Sequence, residues 1–286
     1  MPRSPSPHPA GTAPGLTERD CCYVLGNQGF VYAGRQLASG PTVRHSGVLL
    51  LSADYAPVQL SVRGGPTVSA PAMVVPPLVT RTLDARGVPL LSFNVMPSHE
   101  AFHVFGAMQQ PGVVRLDRHA FNQFDDRLLA LHHGELAFAQ AETFFEEVVG
   151  EAVRQLPAAP APHPKALELI RILDDNPKLS LDDLARRLGR SSQAISRMFS
   201  SAVGLSLRDY QSWLKQRRVY DLLYNTQRSL TDVAYAAGFS DSPQFSRAYQ
   251  RLYGKSPSFS RDPKFVRVFI RGGENSPRQA HGSPRE

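Results

Sequence analysis

From about Gly29 to Met108, short apolar runs alternate with Gly and Pro. Val48–Leu51, Val58–Val62, Met73–Val75 and Leu90–Val95 each have the length and composition of a strand, and Arg63-Gly-Gly-Pro66 between two of them is a turn signal. Many short strands with regular turns predict a small antiparallel sandwich or barrel. After Pro111 the period changes. Phe121, Phe124, Leu128 and Leu131, then Leu136, Phe138, Ala141, Phe145, Val148, Val149 and Val153, follow i, i+3, i+4 spacings, which predict two amphipathic helices. The second apolar face could pack on its own strands or on a second subunit, and the pattern does not choose. Pro157-Ala-Ala-Pro-Ala-Pro-His-Pro164 then stops helix and strand alike. Four prolines in eight residues make a stiff, extended linker.

Beyond the linker the pattern is helical to about Arg261, and it repeats. Ser180-Leu-Asp-Asp-Leu-Ala-Arg-Arg-Leu-Gly189 matches Ser229-Leu-Thr-Asp-Val-Ala-Tyr-Ala-Ala-Gly238 at a separation of 49. Ser196-Arg197 matches Ser246-Arg247, and Gly204 matches Gly254, at a separation of 50. Two copies are too few for a solenoid, so two supersecondary units are expected. In each, a Ser caps a short helix (181–188, then 230–237), a Gly ends it, and a second helix starts near Ser192 or at Ser242-Pro243. Helix, glycine turn and helix make the helix-turn-helix signature, whose second helix enters the major groove of DNA.

The faces of those second helices bear on that reading. Ile195, Met198, Phe199 and Ala202 share one side of the first, leaving Gln193, Ser196, Arg197 and Ser200 outward. Phe245, Ala248, Tyr249 and Leu252 share one side of the second, leaving Pro243, Ser246, Arg247 and Gln250 outward, with Gln244 and Arg251 at the flank. Both outer faces are short, polar and free of acidic residues. Arg reads guanine bidentately and Gln reads adenine, so the residue types suit base edges. A solvated helix face is the plainer alternative for one copy; the repeated Ser-Arg pair weighs against it for two. Between the units, 207–226 lacks Gly and Pro and reads as one helix of about 20 residues, or ~30 Å. Successive major-groove faces lie ~34 Å apart, so such a helix could set both second helices on one side of a duplex. Lys215, Arg217 and Arg218 on it, with Ser191 and Arg251, are candidate phosphate contacts, which position rather than specify.

Charge sharpens this division. The 286 residues carry a formal net charge of +7. Residues 1–164 hold 11 Arg, no Lys and 13 Asp/Glu, a net of −2; residues 165–286 hold the rest, a net of +9. A polyanion partner is thus expected for the C-terminal part only. No run reaches the ~18 apolar residues of a membrane span, and the N-terminus lacks the apolar stretch of a secretory signal. The adjacent Cys21-Cys22 are the only cysteines, which excludes a disulfide framework and a Cys-rich zinc site. The expected location is cytoplasmic, with the nucleoid.

The C-terminal stretch resembles the DNA-binding domain of the AraC/XylS family of bacterial transcription regulators. The residues that carry the likeness are Leu222-Leu223, Val233-Ala234, Gly238-Phe239, Phe245-Ser-Arg247-Ala-Tyr249 and Gly254-Lys-Ser-Pro257, with Ser191, Arg197-Met-Phe199 and Gly204-Leu-Ser206 in a more degenerate first unit. The resemblance implies base contacts at Gln193, Ser196, Arg197, Ser242, Gln244, Ser246 and Arg247. Two positions depart from the family pattern: Tyr249 stands where Phe is commoner, and Phe259-Ser-Arg261 where Tyr-Arg often follows the closing proline.

The strand-rich part resembles, by the order of its elements, the cupin-like effector and dimerisation domain of such regulators. Met73-Val-Val-Pro-Pro77 is similar to a segment of those barrels that ends before a ligand-facing turn. The expected fold class is therefore α+β and multidomain: an N-terminal cupin-like β-barrel with a helix pair, and a C-terminal all-α domain of two helix-turn-helix units joined by a linker helix. The expected boundaries are a disordered 1–15, a sensing and dimerisation domain at 16–156, the linker at 157–164, the DNA-binding domain at 165–262 and a tail at 263–286. Within that tail, Phe265–Ile270 is apolar and basic and has no assigned role, and 272–286 is Gly/Pro/Ser-rich and expected to be disordered. The implied partners are double-stranded promoter DNA, a small-molecule effector, RNA polymerase if the protein activates, and a second copy through the N-terminal domain.

A competing reading is a metal-dependent cupin enzyme with an accessory DNA-binding domain. It needs a His-x-His pair with a later Glu and His in the barrel, whereas His45 stands alone among the early strands and His99/His103 and His132-His133 come late. A third is a structural protein that coats DNA, which leaves the first domain without a role. Alkylation sensing at Cys21-Cys22 resembles four-Cys zinc domains that this chain cannot supply. No catalytic residue, metal or cofactor is assigned.

Overall fold

The computed structural model describes residues 19–108, 112–162, 164–226 and 228–274. The expected disorder at 1–15 lies outside those residues, as does 275–286 of the disorder expected at 272–286; residues 272–274 instead run from a turn into a short strand. The N-terminal part is built on β1 (Asp20–Leu25), β2 (Gly29–Thr42), β3 (Gly47–Ser52), β4 (Val58–Val62), β5 (Thr67–Ala70), β6 (Ala72–Val75), β7 (Arg81–Val95), α1 (Phe102–Gly106), β8 (Val114–Arg115), a 3-10 turn (Arg118–Phe124), α2 (Asp125–His132) and α3 (Phe138–Arg154). The long strands β2 and β7 form its spine. They pair antiparallel along their length, with register shifts between Gly34 and Gln36 and between Ser39 and Thr42. Bulges of this kind bend a strand. On its free side, β7 pairs with β3 over 90–95 and with β4 over 81–84, so the sheet has two halves facing different ways.

Period-2 alternation fills the space between the halves. Val48, Leu50, Met73, Val75 and Leu90 from one half meet Leu37, Val58, Leu60, Val68 and Ala85 from the other. β4 shows the matching buried-exposed alternation. β3 and β6 are buried on both faces: Leu49, Leu51, Ala72 and Val74 turn away from that interior toward the helices. The helical layer supplies Phe121, Phe124, Leu128, Phe144, Phe145, Val148 and Val149, all at most 5% exposed. The apolar face of α3 is therefore covered by its own chain, which answers the question the periodicity left open. The expectation of a closed barrel is corrected: the strand order runs from β10 to β8 and the sheet stays open, with the β4–β5 hairpin joined only to one end of β7.

The C-terminal part comprises α4 (Pro164–Asp175), α5 (Leu181–Leu188), α6 (Ser192–Val203), α7 (Leu207–Asn225), α8 (Leu230–Ala236), α9 (Ser242–Tyr253), α10 (Pro257–Arg261), β9 (Val266–Ile270) and β10 (Gly273–Glu274). Pro164, expected in the linker, opens α4 instead, where its missing N–H costs nothing. The larger difference is at 263–274. β9 returns to the N-terminal sheet and pairs parallel with β1, in register Asp20↔Val266 through Tyr23↔Phe269. The Tyr23 and Phe269 rings stack at 4.2 Å between centroids. The segment expected as a tail is thus a strand of the first domain, and the helical domain lies between two segments of that sheet.

Candidate nucleic-acid interface

Each helix-turn-helix unit is fixed by short-range chemistry. Ser180 Oγ accepts the Asp183 N–H at 3.1 Å, and the Asp183 carboxylate accepts the Ser180 N–H at 3.1 Å, a reciprocal cap on α5. Ser229 Oγ accepts the Asp232 N–H at 3.1 Å on α8. Gly189 ends α5 in the left-handed region, at φ 60°. The second helices start on Ser191, whose Oγ accepts the Ala194 N–H at 3.2 Å, and on Asp241, whose carboxylate accepts the Gln244 N–H at 2.6 Å. That bond is the main cause holding the Asp241 carboxyl below its ordinary pKa, as is usual for a carboxylate at a helix N-terminus.

Ile195, Phe199 and Val203 of α6, and Phe245 and Tyr249 of α9, are buried. On the other side the two helices share the Ser-Arg pair, with a glutamine in each at a different spacing from it. Gln193 and Arg197 are exposed with Ser196 half-buried, and Gln244 and Arg247 are exposed with Ser242 and Ser246 half-buried. Gln244 Oε1 accepts the Ser240 N–H at 3.1 Å, which orients its amide. Among the described residues neither Arg197 nor Arg247 forms an ion pair, whereas Arg186 is tied to Asp183 and Arg217 to Asp174.

The helix between the units buries Tyr210, Trp213, Leu214, Val219, Tyr220 and Leu223 against both of them. Its 19 residues span about 28 Å. The cations placed on it by sequence divide. Arg218 is exposed, and it lines a cleft of about 640 Å³ between the units together with Lys178 and Tyr235. Lys215 donates to the Gly238 carbonyl at 2.8 Å and lies 3.9 Å from the Phe239 ring centroid, closing the end of α8. Arg217 pairs with Asp174 at 3.2 Å over the Trp213 ring. Both charges are engaged within the domain. Arg251 has an exposed side chain, but its carbonyl accepts the Val43 N–H from the N-terminal domain at 3.1 Å.

The two departures from the family pattern have physical accounts. The Tyr249 hydroxyl lies 3.1 Å from that of Tyr224, so the added oxygen is satisfied in the core. Arg261 donates to the Thr226 carbonyl at 3.1 Å, and Ser256 caps α10, so Phe259-Ser-Arg261 still closes the domain as a helix.

Residues 184–262 match the family described as a helix-turn-helix domain. The chain carries an AraC/XylS-type DNA-binding domain. Among its relatives, it is 34% identical over 80 residues to the Msm operon regulatory protein of Streptococcus mutans, 28% of this chain and 29% of that protein. It is 36% identical over 87 residues to the HTH-type transcriptional regulator ExsA of Pseudomonas aeruginosa, 29% of this chain and 30% of that one. The chain thus matches about a third of the length of these relatives. Across the fold it is similar to ToxT from Vibrio cholerae O395, with a TM-score of 0.51 at 10% identity, covering 80% of this chain and 94% of that one. A ToxT structure bound to (E)-4-(8-methylnaphthalen-1-yl)but-3-enoic acid gives 0.51 at 9%, covering 80% and 95%. Both share with this chain a fold of a sheet-rich first part and a helical second part.

Sequence reasoning missed the contacts that reach this domain from the N-terminal part. Gly204, which caps α6, meets Gly106 of α1 so closely that a Cβ on Gly204 would lie 2.4 Å from the Gly106 Cα. Arg44 Nε donates to the Leu252 carbonyl in the last turn of α9 at 3.1 Å. His45, the lone early histidine, lies with Nδ1 2.9 Å from Gln216 Oε1 of α7. It is a domain contact. His99 faces Glu146, and among the described residues no His, Cys, Asp and Glu side chains cluster as a metal site. Among those residues no helix is long and apolar enough to cross a membrane.

Proposed function

We propose that the chain is a sequence-specific transcription regulator whose α6 and α9 read adjacent major-groove segments of promoter DNA. The observation that carries this is the duplicated Ser-Arg pair, Ser196-Arg197 and Ser246-Arg247, with both arginines exposed, on the acid-free second helix of each unit. Gln193, Ser196, Arg197, Ser242, Gln244, Ser246 and Arg247 are its base-reading residues. Arg218, Ser191 and Arg251 are assigned to phosphate, with Lys215 and Arg217 behind them as positioning groups.

The N-terminal domain is assigned to a small-molecule effector, in the cytoplasm. The ToxT structure with a bound organic acid supports an effector in this fold. A second copy and RNA polymerase are partners to be sought by cross-linking with promoter DNA present.

Arg197→Ala and Arg247→Ala are each expected to weaken cognate binding by about 1–3 kcal/mol, while non-specific binding changes less. Sites come from genome-wide mapping, and affinities from fluorescence anisotropy at fixed salt. Wild-type affinity in both variants refutes the assignment.

A further inference from the structure

The two glutamines of the reading helices are held differently. Gln244 is exposed on α9, yet its Oε1 accepts the Ser240 N–H at 3.1 Å and lies 3.2 Å from Ser240 Oγ. The Ser240 hydroxyl also faces the Asp241 carboxylate at 3.1 Å, so one proton serves two acceptors, and the backbone N–H is the bond that fixes the amide. A backbone N–H only donates. It therefore selects Oε1 over Nε2 at that end of the side chain. The turn is itself fixed, because the Asp241 carboxylate accepts the Gln244 N–H at 2.6 Å and caps the helix there. Gln193 of α6 sits one position earlier in the repeat, and among the described residues no hydrogen bond holds its amide.

The difference decides which base edge each side chain fits. A glutamine reads adenine by accepting from N6 with Oε1 while donating to N7 with Nε2, which needs both ends of the amide. In Gln244 the accepting end is engaged at the turn, and the two Nε2 hydrogens form the free end. A group that only donates fits a base edge with adjacent acceptors. In the major groove guanine offers O6 beside N7, whereas adenine sets its N6 donor beside N7 and cytosine presents its N4 donor. A donor aimed at a donor leaves both desolvated and unpaired, which disfavours the wrong base more than a missing bond would.

We propose that Gln244 reads guanine, with Ser240 as the positioning residue that turns its amide, while Gln193 keeps the adenine pairing. The inference rests on the regulator reading above and narrows it. The segment under α9 carries one guanine for Gln244 and another for Arg247, about one turn along the helix. The segment under α6 carries an adenine for Gln193 and a guanine for Arg197. The two halves of the operator thus differ in composition although the helices repeat the Ser-Arg pair.

The test is selection of the full chain on a randomised duplex library, followed by sequencing, for wild type, Gln244→Ala, Gln193→Ala and Arg247→Ala. Gln244→Ala is expected to flatten a column that is guanine in the wild-type motif, and Gln193→Ala one that is adenine. The columns that persist report that each variant is folded. On the selected duplex, adenine in the Gln244 column is expected to weaken wild type about tenfold, and Gln244→Ala less than about twofold. Inosine, which keeps O6 and N7, is expected to bind as guanine does, and 7-deazaguanine, which lacks the N7 acceptor, more weakly. Ser240→Pro removes the N–H and is expected to lower the ratio of guanine to adenine affinity, a ratio that a general loss of binding leaves unchanged; Ser240→Ala, which keeps the N–H, restores it. A Gln244 column other than guanine, a motif unchanged by Gln244→Ala, an adenine penalty that Gln244→Ala keeps, or an undiminished ratio in Ser240→Pro overturns the proposal. A library that yields no motif overturns the DNA-reading assignment and this inference with it. A motif that loses a guanine in Arg247→Ala but carries adenine under Gln244 removes the amide argument alone.

Discussion

Gly106→Ala tests whether the two domains touch as closely as the structure shows. Gly106 is the last residue of α1 and has an ordinary helical φ, so an isolated helix gains about 0.5–1 kcal/mol from the change. In the folded chain the new Cβ would lie 2.7 Å from the Val203 carbonyl oxygen and 3.0 Å from the Gly204 Cα. Both obstacles are backbone, so no rotamer relieves them, and overpacking of this kind costs about 1–3 kcal/mol. The sign of the effect therefore reports the contact. Two further variants calibrate it. Gly189→Ala faces nothing within 4 Å and has φ +60°, so it carries only left-handed strain, about 1–2 kcal/mol. Gly204→Ala, at φ +77° and 2.4 Å from the Gly106 Cα, carries that strain and the clash together, about 2–5 kcal/mol.

The assay is urea unfolding of the full chain, with proteolysis in the 157–162 linker reporting domain separation. Gly106→Ala is expected to be less stable than wild type and cut faster in the linker, and Gly204→Ala to lose more than Gly189→Ala. A Gly106→Ala protein as stable as wild type or more so, with Gly204→Ala matching Gly189→Ala, would falsify the contact.

Phe269→Ala removes the ring stacked on Tyr23 and should cost about 3 kcal/mol in urea unfolding; a loss below about 0.5 kcal/mol means that β9 is not docked. Burial is the largest influence on His45 and lowers its pKa, with Gln216 and Asp209 opposing it and Arg251 reinforcing it. Its neutral form is thus the one the fold favours, and stability present above its ordinary pKa of 6.5 is lost as pH falls below that value. His45→Gln should flatten the loss between about pH 7 and pH 5, and an unchanged slope rejects this origin. Burial pushes the Cys21 and Cys22 thiols up to about 11 and about 12, so a thiol reagent at about pH 8 should label both only after unfolding. Rapid labelling of the native chain contradicts their placement.

The parts legible in the sequence were those whose causes are local. A capping Ser, an Asp three residues on and a terminal Gly lie within ten residues, so the helix-turn-helix units could be read directly and then checked by their repeat. The strands of the first domain showed as short apolar runs between turn signals, but the bend in β2 and β7 depends on register shifts that no residue type announces. The cations on α7 were ambiguous for a related reason. Lys215, Arg217 and Arg218 look alike in sequence, and only their partners separate a charge held by Asp174 or the Gly238 carbonyl from one left in solvent. Phe265–Ile270 did carry a signal, since Val266 and Val268 alternate with Arg267, but a strand needs a neighbour, and the neighbour lies about 245 residues earlier.

That missed pairing bears on how the two reading helices can move. Three residues separate the described end of α10 from the first buried residue of β9, if the turn at Asp262 is counted with the helix; the Phe265 and Val266 N–H groups both donate to the Asp262 carbonyl. The second unit is thus fastened to the sheet through β9, and again through Arg44 and the Val43 N–H at the end of α9. The first unit is held by the proline-rich linker and by the contact of Gly204 with Gly106. Opening β1 from β9 breaks a four-residue ladder and unstacks Tyr23 from Phe269. A change in the spacing of α6 and α9 is therefore expected to strain either the glycine pair that holds the first unit or the β1–β9 ladder that holds the second, and Gly106→Ala and Phe269→Ala load the two separately.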